Sequence, residues 1–188
     1  CMEIYPENEK RMYMKKRILE ICSEIEEKSN EKYDKYQFNK KVMKIPIIQY
    51  GLQMCEKKEN YISSIYYLND YYQKHFVIVY GNQIYETCLK DYPKVYLSYL
   101  NGKIKISEDK NSNLRGDLNY LFDKLNIKND IKKDKKHVYQ MKLNPISKYK
   151  LDDLKELAVE CNLVTKDGSK NKTKQVLYDE INLYYLNH

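Results

Sequence analysis

The chain has 188 residues, enough for one ordinary domain with a small appended module. With 42% hydrophobic and 32% charged residues it is not a disordered chain, and no apolar run approaches the roughly 20 residues of a membrane helix. The net charge of +7 is moderate, so its placement along the chain carries more information than its size.

The N-terminus is too charged for a signal peptide, and a first residue of Cys1 rather than Met points to a start upstream. Over residues 8–29, Met14, Ile18, Ile21, Cys22 and Ile25 recur at spacings of three and four. That period predicts a helix laying one stripe on a core or a partner. Ser29 to Gln37 reads as a polar connector, closing an N-terminal segment over residues 1–37.

Residues 38–127 read as an α+β core. Pro46 forbids a helix through the middle of Lys40–Lys58, so an extended entry and then a short helix are expected. Ile62, Ile65, Tyr66, Leu68 and Tyr72 follow at near-helical spacing, with Asn60 as the expected cap. HFVIVY and QIYET flank Gly81-Asn82, and KVYLSYL and KIKIS flank Asn101-Gly102. Both dipeptides tolerate the positive φ of a tight turn, so two hairpins and a small, mostly antiparallel sheet are expected. The tyrosine-rich helix should pack on one face of it. A polar loop over residues 108–117 and a short helix ending near Asn126 complete this core.

Residues 128–147 read as a lysine-rich linker, Lys128 to Lys136, followed by a short strand over His137–Leu143. Residues 148–188 then form two amphipathic helices around a basic loop. Leu151, Leu154, Leu157, Ala158 and Cys161 share one face of the first helix; Val176, Leu177, Ile181, Tyr184 and Tyr185 share one face of the second. Asp152 lies where the first helix dipole favours an anion, and Thr173 is the expected cap of the second. Residues 1–31 hold six Lys or Arg against eight Glu, whereas the loop from Val164 to Lys174 holds Lys166, Lys170, Lys172 and Lys174 against Asp167 alone. A polyanion is therefore expected to dock at the C-terminal end.

This segment resembles the SAP and Rho-N group of helix–extended loop–helix modules. The likeness rests on Leu154-Lys155-Glu156-Leu157-Ala158, on Asn162-Leu163 where the group often has glycine and an aliphatic, and on Lys174, Leu177 and Ile181. In that group the loop and the start of the second helix face DNA or RNA. The resemblance thus implies phosphate contacts for Lys170, Lys172 and Lys174, joined by backbone N–H groups at the helix start. Here the loop is longer and its glycine is displaced to Gly168.

Tyrosine reaches 21 residues and tryptophan is absent, a usage that follows A/T-rich codons. It resembles that of large DNA viruses of protists, although an A/T-rich parasite or bacterium would share it. YISSIYYLNDYYQKHFVIVYGNQIYET plus the tail is similar to an uncharacterised group of giant-virus proteins, which implies a viral setting without an activity.

Two sharper chemistries have some footing in the residues. Gln49 precedes Cys55 by six residues and His75 opens an apolar strand, as in papain-like cysteine hydrolases, but the nineteen residues between Cys55 and His75 leave little chain for such a fold. Tyr80, Tyr85, Tyr96 and Tyr99 could stack bases, although tyrosine is also this chain's ordinary core aromatic. The five cysteines and three histidines are scattered without metal-ligand spacing, so neither metal nor cofactor is expected, and free thiols suit an intracellular setting: host cytoplasm, viral factory or virion. The resulting expectation is a non-catalytic protein binding DNA or RNA without sequence preference through Lys166, Lys170, Lys172 and Lys174. The alternative is a protein-interaction or virion-assembly subunit docking through its core or N-terminal helix, with no membrane partner in either case.

Overall fold

The computed structural model describes residues 7–57, 59–100, 103–106, 114–116, 121, 124–125, 127–131 and 135–188. The architecture is α+β, as the patterning implied. Helix α1, Glu7–Glu27, buries Ile18, Ile21, Cys22 and Ile25 against helix α3, Ile45–Met54. Met14 was expected on that stripe but is 43% exposed, because the first turns of α1 run past the edge of the core. The segment read as a polar connector is a second helix, α2, Ser29–Tyr36. Its apolar content is carried by tyrosines: Tyr33 and Tyr36, three residues apart, are both buried, and the Tyr33 hydroxyl donates to the Met43 carbonyl. Gln37, with φ of 56°, turns the chain out of α2. Pro46 sits in the first turn of α3, after an extended Lys44, where its missing N–H costs nothing.

Helix α4, Ile62–Tyr72, is not capped by Asn60, which lies instead in a short strand β1, Asn60–Tyr61. The cap comes from far along the chain. The Asp130 carboxylate accepts from the Ser63 N–H at 3.1 Å and from the Ser63 hydroxyl, satisfying donors that the helix start leaves open.

The main sheet runs in the order β5-β4-β2-β3-β6, made of β2 His75–Tyr80, β3 Gln83–Glu86, β4 Lys94–Leu100, β5 Lys103–Ile106 and β6 Leu114–Arg115. Both expected hairpins pair antiparallel, β2 with β3 around Gly81 and β4 with β5. The turn residues 101–102 lie outside the described residues, as do most of the expected 108–117 loop and the helix ending near Asn126. The sheet is mixed rather than mostly antiparallel: β2 and β4 are parallel neighbours, and so are β3 and β6. Residues 87–93 make this possible by passing beneath the start of β2. They are held there by Asn69, whose side-chain amide donates to the Thr87 hydroxyl at 3.0 Å and whose oxygen accepts from the Phe76 N–H at 2.8 Å. Ile78 and Tyr85, directly opposite each other in β2 and β3, join the helical core beside Tyr66 and Tyr67.

Strand β6 can lie against β3 because Gly116 has no side chain. Its N–H donates to the Ile84 carbonyl at 2.8 Å, and a Cβ there would stand 2.3 Å from the buried Tyr85 ring. Gly116→Ala should therefore cost about 1–3 kcal/mol of stability through overpacking. Urea unfolding measures it, and a variant as stable as wild type would contradict this packing.

The stretch read as a linker is tied to the core at several points. Ile127 and Lys128 form β7, parallel to β1; Ile131 is buried; Asp130 is the α4 cap. The strand expected over His137–Leu143 reduces to one bridge, Phe38 with Tyr139, framed by Asn39 N–H to Val138 O at 2.8 Å and Gln140 N–H to Gln37 O at 2.7 Å. Residues Gln37 to Asn39 are a short passage between turns, so no longer ladder has a partner.

The C-terminal module packs helix α5, Leu151–Glu160, on helix α6, Lys174–Asn187. Leu154, Ala158, Cys161, Leu177 and Ile181 form a core of their own. Helix α6 outruns that small core: near its end Leu186 belongs to the main core, and Asn187 accepts the Asp91 N–H at 2.7 Å.

Candidate nucleic-acid interface

Helix α5 starts at Lys150, whose N–H donates to the Asp153 carboxylate at 2.6 Å, and Asp152 pairs with Lys155 at 2.8 Å. It ends at Asn162, in the left-handed region at φ of 55°, with the Leu163 N–H returning to the Ala158 carbonyl at 2.7 Å. Leu163 then packs on the module core and aims the chain outward. The basic segment expected as an extended loop is a small hairpin, β8 Lys166–Asp167 against β9 Lys170–Asn171. Gly168 turns it at φ of 59°, and a Cβ there would meet nothing within 4 Å. The chain re-enters at Thr173, which caps α6 as expected by accepting the Val176 N–H at 3.3 Å. On the faces read as apolar, Leu151 and Val176 remain 36% and 42% exposed, flanking rather than filling the core.

The four lysines singled out from the sequence are not equivalent. Lys166 and Lys170 are exposed on the hairpin and Lys174 is half-buried at the start of α6. None of these three has an ion-pair partner among the described residues. Lys172 is tied down: its ammonium lies 2.8 Å from both Glu180 carboxylate oxygens, and its side chain is 13% exposed. The Lys172 N–H also donates to the Thr165 carbonyl at 3.0 Å, closing the base of the hairpin. Lys172 is thus a strut that fixes the hairpin on α6. Glu180 was missed as its partner because the two residues are brought together by the hairpin closure, not by one helix face.

The other candidates fall elsewhere. Gln49 donates its amide to the Cys22 carbonyl at 3.1 Å. The Cys55 thiol donates to the Gly51 carbonyl, and burial pushes it up, away from the thiolate. His75 is buried at the start of β2. Of the tyrosines considered for stacking, Tyr85 is fully buried with its hydroxyl donating to Gln83, Tyr80 and Tyr96 are half-buried, and the Tyr99 side chain lies outside the description. Among the described residues no group of three or more His, Cys, Asp or Glu is placed to hold a metal ion, and no helix is long and apolar enough to cross a membrane.

No family model, curated protein or solved structure matches this chain.

Proposed function

We propose that this is a non-catalytic, nucleic-acid-associated accessory or structural protein, of the kind a large DNA virus encodes, whose C-terminal hairpin neutralises phosphates of DNA or RNA. The observation that carries the reading is the set Lys166, Lys170 and Lys174, free of carboxylate partners around an open turn. The Lys172–Glu180 tie and the α5–α6 core hold that turn in a fixed place, so binding does not have to order it first. Sequence preference is not expected, because the free groups are flexible ammonium chains suited to phosphate oxygens.

Three free lysines should contribute a slope of about −2.7 in log K against log salt on duplex DNA, roughly forty-fold between 50 and 200 mM. Fluorescence anisotropy on a duplex and a single-stranded oligonucleotide measures it for wild type and for Lys166→Gln/Lys170→Gln/Lys174→Gln. The triple variant should lose that part of the salt dependence, whereas Lys172→Gln should lower thermal stability and leave the slope unchanged. A triple variant that matches wild type at both salt concentrations would sink the proposal.

A further inference from the structure

The N-terminal turns of α1 carry a second set of unpaired cations. Arg11, Lys15 and Lys16 are exposed and Lys10 is half-buried, and none has an ion-pair partner among the described residues. Net acidity over residues 1–31 hid this, because helix α1 is polarised. Its cations lie at positions 10–17, while Glu20, Glu24, Glu26 and Glu27 follow toward a last turn that holds no basic residue. Glu20 and Glu24 are moreover engaged, with Arg17 at 2.9 Å and Lys32 at 3.0 Å. A helix dipole favours cations near the C-terminus and anions near the N-terminus, so an acid-rich last turn works against helix stability. Among the described residues these turns also add nothing to the apolar core: Met12, Tyr13 and Met14 are 74%, 70% and 43% exposed, and the first core residue is Ile18. Neither packing nor dipole accounts for the arrangement.

Spacing shows what it fits. At 100° per residue, Met12 and Leu19 form one outward stripe, with Arg11 and Lys15 on one flank and Lys16 on the other. Leu19 is itself 54% exposed. Among the described side chains of these turns, Glu9 is the opposing carboxylate. A projecting helix of about 10–12 Å diameter with cations on both flanks matches a duplex major groove, which is about 12 Å wide and walled on both sides by phosphates. The methionine tip would meet base edges and thymine methyl groups. An anionic membrane surface is a poorer match, since Met12, Tyr13 and Met14 point in successive directions 100° apart and cannot all enter one plane. We infer that the N-terminal turns of α1 are a duplex-binding arm, separate from the C-terminal hairpin and not dependent on the hairpin's role.

The test uses the whole chain, a 20-bp duplex and the variant Lys10→Gln/Arg11→Gln/Lys15→Gln/Lys16→Gln. Glutamine is a good helix former, so circular dichroism should show the helix retained. The three flanking cations, Arg11, Lys15 and Lys16, should contribute about 2.7 units of salt slope, so between 50 and 200 mM wild type should lose about forty-fold more affinity than the variant. Unchanged affinity and slope in the variant would overturn the inference. So would loss of binding to phosphatidylserine vesicles or poly-glutamate with duplex binding intact, which would assign the arm to a membrane or to another polyanion. The hairpin variant separates the two surfaces: if it binds duplex like wild type while the arm variant does not, the arm stands and the hairpin proposal falls.

Discussion

Changing Lys90 to methionine should remove about 3–5 kcal/mol of folding stability, because it leaves a buried carboxylate without its cation. Asp70, near the end of α4, is fully buried, and Lys90 is 7% exposed. The Lys90 ammonium donates to one Asp70 oxygen at 2.6 Å and to the Tyr36 carbonyl at 2.8 Å. The Tyr92 hydroxyl donates to the same carboxylate oxygen at 3.0 Å, and the Tyr139 hydroxyl to the other at 2.8 Å. Burial pushes the Asp70 carboxyl up against the opposing pull of Lys90, and it pushes the Tyr92 and Tyr139 hydroxyls up as well, so both tyrosines stay protonated as donors. Without the ammonium, two neutral donors must hold a charge in a site closed to water, and the Tyr36 carbonyl loses its partner. The double variant Asp70→Asn/Lys90→Met should regain most of the loss, since the amide oxygen accepts from one tyrosine hydroxyl, the amide NH2 donates to the other and no charge is stranded. Urea denaturation of both variants decides it; a single variant within about 1 kcal/mol of wild type would show that the pair is not integral to the fold.

That network explains why parts of the fold were readable from sequence and parts were not. Ile18, Ile21, Cys22 and Ile25 announce α1 because their period is local, and Gly81-Asn82 and Thr173 announce a turn and a cap for the same reason. Helix α2 stayed hidden because its core side chains are Tyr33 and Tyr36 in an otherwise charged segment. Asp130 capping α4, Lys172 clasped by Glu180 and Lys90 reaching Asp70 all look like ordinary surface charges in a linear reading. Each acquires its role from a partner delivered by tertiary structure. The parallel β2–β4 pairing has the same origin, since it depends on residues 87–93 being pinned beneath the sheet by Asn69 and Asp70. For the hairpin, sequence located the basic segment correctly and could not tell its free lysines from its strut. For α1, averaging charge over the whole segment cancelled the cations of one end against the acids of the other.

Ile181→Ala should cost about 2–5 kcal/mol, and the loss should register in both cores rather than in the C-terminal module alone. Ile181 is fully buried among Leu154, Ala158 and Leu177, where the cavity left by truncation has little room to collapse. Five residues on, α6 enters the main core through Leu186, and Asn187 holds the Asp91 N–H in the crossing that also carries Lys90. Beside Ile181 the Asn182 side chain accepts the Leu143 N–H at 3.2 Å, and just before it Asp179 pairs with Lys136 at 2.9 Å. Unwinding α6 to open the small core would therefore strip contacts from Asp91 in residues 87–93 and from Lys136 and Leu143. Amide hydrogen exchange reads this directly: protection should fall together in α5, α6 and β2. Reduced protection in α5 and the hairpin with β2 unchanged would mean the module opens as a separate unit. In the coupled case α6 is the rigid connection that fixes the hairpin lysines relative to the sheet, so a variant far from the basic surface would weaken nucleic-acid binding by loosening its support.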